Sequence, residues 1–194
     1  MSASPNYSMT PEEYLAFERA SETKHEYIDG EIYAMAGAKR NHSLINASII
    51  ALLYNQLQRR IPPCLVYTSD MRVKVDISNY FYPDVTVVCG DALYDETELD
   101  MLINPALVIE ILSPSTEVYD RRKKTPRYQK IESLQEYLLV AQDEAWVERY
   151  RRQPDGTWQY LAIIGLDSTV ELTSINATPT LADIYENVTF EADE

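Results

Sequence analysis

Apolar residues recur along this chain with two periods, and the switches between them predict the order of elements. From residue 41, NHSLINASIIALLYNQLQRR sets Leu44, Ile45, Ile49, Ile50, Leu52, Leu53 and Leu57 at helical spacing. A stripe that broad packs against a sheet. Asn41 is the expected cap of this helix, and Pro62-Pro63 the expected stop. Earlier, Thr10-Pro11-Glu12-Glu13 combines a capping box with proline at the first helical position, so a helix should run through YLAFERA. Between the two helices, KHEYIDGEIYAM reads as a hairpin, because Asp29-Gly30 favours a two-residue type I′ turn. That turn pairs Ile28 with Glu31 and Glu26 with Tyr33, which puts Glu26 and Glu31 on one face of the ribbon.

Downstream the period shortens to two. LVYTSDMRVKVD alternates Met71, Val73 and Val75 against Arg72 and Lys74, as one strand would. Ser78-Asn79 should turn the chain into a second strand, YFYPDVTVV, whose Pro83 cannot donate to a ladder. Residues 90–103 are acidic and should form a loop or short helix. Ala106-Leu107-Val108-Ile109 then opens a buried strand that Ser113-Pro114-Ser115-Thr116 ends. A basic helix, the strand EYLLVAQ, a hairpin turning at Pro154-Asp155-Gly156 and a short strand VELTSI follow, with a short helix and a disordered acidic end after about residue 180. From about 41 to 142 the order is helix, three strands, helix, strand. That predicts an α/β (α+β) fold with an αβββαβ core, its mixed sheet flanked by helices. The N-terminal helix and hairpin and a C-terminal β-hairpin are additions to one domain spanning 1–194.

Composition narrows the setting. The net charge of −14 opposes non-specific attraction to nucleic acid. Yet six of the 17 basic residues fall in 121–130: Arg121, Arg122, Lys123, Lys124, Arg127 and Lys130. Such a run is either a solvated face or a phosphate-contacting one. Cys64 and Cys89 lack CxxC or Cys/His spacing, which argues for a reducing compartment and against a disulfide scaffold or zinc site. The N-terminus lacks the blocks of a signal peptide, and no apolar run reaches the length of a membrane span, so a cytoplasmic protein is expected. Five glycines and no GxGxxG or GxxxxGK exclude the common phosphate-cradling loops. Fifteen tyrosines stand against three phenylalanines, a bias the sequence alone does not explain.

The chemistry concentrates at three positions. Glu110 interrupts the buried strand, where a charge is costly unless paired or bound to a cation. Asp84 follows Pro83, and Asp120, Lys124 and Tyr128 recur at steps of four on the basic helix. Two carboxylates on neighbouring strands can hold Mg²⁺ (or Mn²⁺), with the backbone carbonyl of Ile111 as a third ligand. Each residue also has a bland role: Asp84 as a turn cap, Glu110 as an arginine's partner, Lys124 as a surface lysine, His42 as a structural hydrogen-bonding residue, and Glu26 and Glu31 as exposed carboxylates. Pro126 either kinks the helix or marks its first turn, and in the second case Lys124 lies in a loop.

Pro83-Asp84 and Glu110-Ile111-Leu112 resemble the motif of the PD-(D/E)XK phosphodiesterase superfamily. More narrowly, HEYIDGEIYAM, NHSLIN, YPDVTVV, VIEILSPST and DRRKKTPRYQKIESLQEYLLV, in that order, are similar to the Uma-type restriction endonuclease family, long filed as a domain of unknown function. The resemblance covers nearly the whole chain. It implies a Mg²⁺-dependent endonuclease acting on DNA, with Asp84, Glu110 and the Ile111 carbonyl as metal ligands. The motif's lysine is replaced here by Leu112, and the resemblance implies that Lys124 takes its role. It leaves Glu26, Glu31, His42, Asp120 and Tyr128 as accessory positions, and Arg121, Arg122, Lys123 and Arg127 beside the site as phosphate contacts. A homodimer is expected, since cutting both strands needs two sites. Two other readings remain: a catalytically inactive nuclease fold serving nucleic-acid binding or protein interaction, and a glycosidase using Asp84 and Glu110 as acid and base.

Overall fold

The computed structural model describes residues 8–190 apart from Ala36, Thr97, Leu99 and Ser115, so the expected acidic end at 191–194 lies outside the described residues. Helix α1 (Pro11–Ala20) opens on the expected capping box, with Glu13 N–H bonded to the Thr10 hydroxyl and Thr10 N–H to the Glu13 carboxylate. Strands β1 (His25–Ile28) and β2 (Glu31–Ala34) pair in the expected register, Ile28 with Glu31 and Glu26 with Tyr33. Asp29 and Gly30 take φ of 47° and 95°, the left-handed values a type I′ turn demands.

Helix α2 (Arg40–Leu57) buries Ile45, Ile49, Leu53 and Leu57. Asn41 does not cap it: Lys39 holds the cap position, and the Asn41 amide donates to the carbonyls of Gln142 and Thr189, joining α2 to later segments. The next two expected strands each divide in two. LVYTSDMRVKVD becomes β3 (Cys64–Thr68) and β4 (Arg72–Asp76), and YFYPDVTVV becomes β5 (Asn79–Phe81) and β6 (Val85–Cys89). Asn79 thus begins a strand rather than ending a turn. Strand β7 (Met101–Leu102) is brief, and β8 (Leu107–Ile111) is the buried central strand. Helical turns α3 (Glu117–Tyr119), a π-helical turn (Asp120–Lys124) and α4 (Thr125–Tyr128) follow without interruption. Strands β9 (Glu136–Val140), β10 (Trp146–Arg152) and β11 (Trp158–Ile164) precede the short α5 (Leu181–Ile184). VELTSI forms isolated bridges, Thr169 with Thr180 and Leu172 with Ala177, instead of a strand.

The splits matter because their halves belong to different sheets. A smaller sheet has the order β2-β1-β5-β4-β7, and a larger one β11-β10-β9-β8-β6-β3. Both are mixed, with β4–β7 and β8–β9 parallel. The fold is therefore the expected helix-flanked α+β arrangement built on two mixed sheets rather than one. Helices α2 and α5 cover one face of the larger sheet through Ile45, Ile49, Leu53, Leu181 and Ile184 against Val85, Val87, Leu107, Ile109 and Val140. The smaller sheet and α4 cover the opposite face, where Ile28, Val73, Phe81 and Tyr128 meet Val108, Tyr137 and Leu139. Each such side chain contributes about 1.5–3 kcal/mol by leaving water.

Three surprises of composition resolve here. Cys64 and Cys89 are directly opposed in the antiparallel β3–β6 pair and form a disulfide, against expectation. Linear spacing carries no information about cross-strand register, which is why the pairing was missed. The acidic stretch folds back on β4: Glu98 and Asp100 pair with Arg72, which is buried despite its place in an alternating strand, and Asp95 pairs with Lys74 at 2.6 Å. The tyrosines build ring stacks. Tyr14, Tyr27 and Tyr80 stack at 4.8–5.6 Å, and Phe81, Tyr128, Tyr137, Tyr150 and Tyr160 form a second line across the larger sheet. Phenylalanine would fill the same space without the hydroxyls, which bond main-chain carbonyls such as His25 and Met9.

Candidate active site

The chain crosses from the smaller to the larger sheet at Tyr82-Pro83-Asp84, between β5 and β6. Pro83 has no N–H to continue either ladder, so one period-two run serves two sheets. Val85 pairs with Ile109, and one step further Asp84 lies across from Glu110. Asp84 Oδ2 accepts the Ile111 N–H at 2.7 Å. His42, in the first turn of α2, places Nε2 3.2 Å from the same oxygen. Burial alone would lower the His42 pKa, but the Asp84 hydrogen bond and the charges of Asp84 and Asp120 outweigh it and raise it.

Glu26 reaches the site from the smaller sheet. It is 2% exposed, so the solvated-face reading of the hairpin fails for this residue. Its Oε1 accepts the Tyr82 N–H at 3.3 Å and its Oε2 the Tyr119 hydroxyl at 3.2 Å. Glu31, on the same ribbon face, is exposed, accepts the Tyr33 hydroxyl and does not line the cleft.

Lys124 closes the group. It lies within the helical run, not in a loop, and is 4% exposed. Its Nζ sits 2.7 Å from Glu26 Oε1, 3.0 Å from Glu110 Oε1 and 3.4 Å from Asp120 Oδ1. Tyr128 donates its hydroxyl to Glu110 Oε1 at 2.8 Å. Glu110 is therefore partnered by lysine and tyrosine rather than by arginine. Burial, then the charges of Asp120, Asp84 and Glu26, push the Glu110 carboxyl well above its usual range, with Lys124 pulling the other way. Burial likewise raises Glu26. For Lys124, burial opposes the charge, yet Glu110, Glu26 and Asp120 together hold the ammonium protonated well above the ordinary lysine range.

Pro126 explains the local helix geometry. It lacks an N–H, and its ring conflicts with the carbonyl four residues back, so the preceding turn widens. Thr125 N–H instead bonds the Asp120 carbonyl, five residues back, and the Thr125 hydroxyl bonds the same oxygen at 3.0 Å. This turn brings Tyr119 into the site together with Lys124, whose Nζ lies 5.7 Å from the Tyr119 ring centre. Tyr119 went unrecognised in the sequence because it falls off the four-residue stripe, and Pro126 was the available signal.

Of the expected basic contacts, Arg121 is paired with Glu148 at 2.6 Å and Glu117 at 3.3 Å. Arg127 is held by Asp29 and by Asn79 Oδ1 at 2.8 Å, and Lys123 lies over the Tyr33 ring. Arg122 is exposed. Asp84, Glu110, Ile111, Asp120, Lys124 and Glu26 all line one cleft of about 850 Å³. Both interactions of Asp84 among the described residues use Oδ2, and both of Glu110 use Oε1. The other oxygen of each carboxylate and the Ile111 carbonyl are hard oxygen donors, the kind of atom that Mg²⁺ or Mn²⁺ takes. No group of three or more His, Cys, Asp or Glu that could hold a metal ion occurs among the described residues.

A parallel β8–β9 pair joined by a helical crossover, with carboxylates at the adjoining ends of β6 and β8, defines a restriction-endonuclease-like nuclease fold. A crystal structure described as "a putative nuclease belonging to DUF820", from Anabaena variabilis, superposes with a TM-score of 0.77 over 93% of this chain and 99% of that one, at 22% identity. The chain belongs to the Uma2 family, described as "Putative restriction endonuclease", whose model matches residues 11–183. Two Synechocystis proteins described as uncharacterized are similar: one is 38% identical over 189 residues, covering 97% of each chain, and another 33% identical over 166 residues, 85% of this chain and 93% of its own. No helix among the described residues is long and apolar enough to cross a membrane.

Proposed function

We propose that this chain is a divalent-metal-dependent endonuclease that hydrolyses phosphodiester bonds in DNA. The observation that carries the reading is the junction of Asp84 and Glu110, latched through the Ile111 amide and facing one cleft with a buried lysine cation. Asp84, Glu110 and the Ile111 carbonyl are the proposed ligands of Mg²⁺ or Mn²⁺, the kind of ion restriction-type nucleases generally use. Bound there, the ion would polarise a phosphoryl oxygen and lower the pKa of a coordinated water. Lys124 stabilises charge developing on the phosphate and orients the attacking water through its ammonium. Glu26 and Asp120 hold that ammonium in place, Tyr128 fixes the Glu110 carboxylate, and His42 fixes Asp84. Arg122 and Lys123, exposed beside the cleft, are the proposed phosphate contacts, with Arg121 and Arg127 released from their acidic partners on binding. Two sites in a homodimer would cut the two strands.

Calorimetric titration of Mn²⁺ into the wild type and Asp84→Asn tests this reading before any substrate is known. Stoichiometric binding that the variant loses is the expected result. Equal binding by both, or none by either, would overturn the metal site and favour a nuclease fold that binds nucleic acid or protein without cutting.

A further inference from the structure

From residue 32 to residue 69 the chain carries no Asp or Glu, although 31 are spread over its 194 residues. Helix α2 lies within that stretch. Its exposed positions Ser43, Ala47, Ala51 and Asn55 recur at steps of four without a charge, in a protein of net charge −14. Acids surround the cleft on its other sides: Glu22, Glu26, Asp84, Glu110 and Asp120 line it, and none of them comes from α2. A polyanion that enters the cleft therefore meets least repulsion along the α2 wall.

One face of α2 forms that wall. Lys39 at the N-cap, then His42, Ser43, Asn46, Ala47 and Ile50 line the cleft, the three-and-four spacing of a single helical face, while Ile45, Ile49 and Leu53 pack into the core. His42 ties the face to the junction of carboxylates, with Nε2 3.2 Å from Asp84 Oδ2. Lys39 and Asn46 flank His42 at three and four residues, and Ser43 follows it directly. No hydrogen bond or ion pair among the described residues engages the side chain of Lys39, Ser43 or Asn46. The other two lysines that line the cleft are occupied, Lys24 by Asp70 and the Ser69 carbonyl, Lys124 by three carboxylates. The first turn of α2 holds no acidic residue and no side chain caps it, so the positive end of the helix dipole adds to the Lys39 charge.

We propose that this face of α2 carries the sugar-phosphate backbone of the substrate, with Lys39, Ser43 and Asn46 donating to phosphates that flank the one at the carboxylates. The inference rests on the nuclease reading of the cleft and adds a second wall to the contacts drawn from 121–127. An ammonium, a hydroxyl and an amide are donors of the kind that hold a DNA backbone in register without reading its bases. Lys39 and Asn46 stand about 10 Å apart along the helix axis, a length that spans roughly three nucleotide steps of one strand. These contacts set where the strand lies and leave sequence preference to other residues.

Fluorescence anisotropy with a short labelled DNA duplex of arbitrary sequence tests it, across a range of NaCl at a fixed low concentration of Ca²⁺, a hard cation that takes oxygen ligands as Mg²⁺ does. Lys39→Gln should weaken binding and lower the slope of log affinity against log salt by about 0.9. Ser43→Ala and Asn46→Ala should each weaken binding by about tenfold and leave the slope unchanged. Alanine favours the helix, so both variants should fold. Arg59→Gln removes an exposed charge just past the opposite end of α2 and should change neither quantity. Equal losses from Lys39→Gln and Arg59→Gln would reduce the effect to net charge and overturn the proposal. Binding that Arg122→Gln weakens and the variants at 39, 43 and 46 do not would overturn it as well, with the nuclease reading left standing. A wild type that binds no duplex would overturn both.

Discussion

The Lys124 ammonium lies nearer to Glu26, at 2.7 Å, than to Glu110, at 3.0 Å. The carboxylate nearest the buried cation is thus one from the N-terminal hairpin, outside the αβββαβ core. Removing the cation should be costly, because Glu26, Glu110 and Asp120 would remain buried without it. Lys124→Met should lose about 3–5 kcal/mol in urea unfolding. Adding Glu26→Gln to that variant should recover part of the loss, since it removes one of the stranded charges. A double variant no more stable than Lys124→Met would show that Glu26 is not coupled to the lysine.

Glu110→Gln keeps the side-chain shape and the Tyr128 bond while removing a proposed ligand charge. Thermal unfolding with and without excess Mn²⁺ should show a metal-induced rise in Tm for the wild type and a much smaller one for the variant. Equal rises would place the ion elsewhere.

Arg127 hydrogen-bonds the Asp29 carboxylate and holds it below its usual range, with partial burial opposing. A depressed folded pKa gives stability that is present above the unfolded value, near 3.8, and lost as pH falls through the lower folded one. Denaturant midpoints measured from neutral pH down to about pH 3 should therefore fall more steeply for the wild type than for Asp29→Asn. Asparagine tolerates the left-handed turn position, so the hairpin should persist in the variant. Parallel curves would remove the ion pair from the account.

Restoring an N–H at residue 126 should let the π-helical turn relax towards α geometry. Pro126→Ala should change global stability by no more than about 1 kcal/mol. It should nevertheless shift the ring signals of Tyr119 and Tyr128 in NMR spectra, because the turn sets where both rings sit. Unmoved rings would mean that side-chain packing, not the proline, imposes the wide turn.

Local signals were fully legible in the sequence. The Asp29-Gly30 turn and the Thr10 capping box fix their own geometry within four residues, and both stand as expected. What the sequence concealed is long-range. A period-two run looks the same whether it stays in one sheet or passes between two, so the break at 69–71 was invisible and the one at 82–84 was marked only by Pro83, which does not say that the chain changes sheets. Glu26 and Glu31 carry the same side-chain chemistry on the same ribbon face, and only the arrival of Tyr82 and Lys124 buries one of them. The Cys64–Cys89 bond depends on register between strands 25 residues apart in the chain. Asp84, Glu110 and Lys124 were visible as residue types, and the structure brings them to one cleft.

Glu26 belongs to the smaller sheet and Glu110 to the larger, and one ammonium touches both. The site therefore works as a gauge of how the two sheets sit on one another. A slide of about one ångström would carry one of these carboxylates beyond hydrogen-bond distance of the ammonium while leaving each sheet's own ladder intact. Core substitutions at the seam, such as Val73 or Val108, would then alter the site's electrostatics with no change to any residue that lines it.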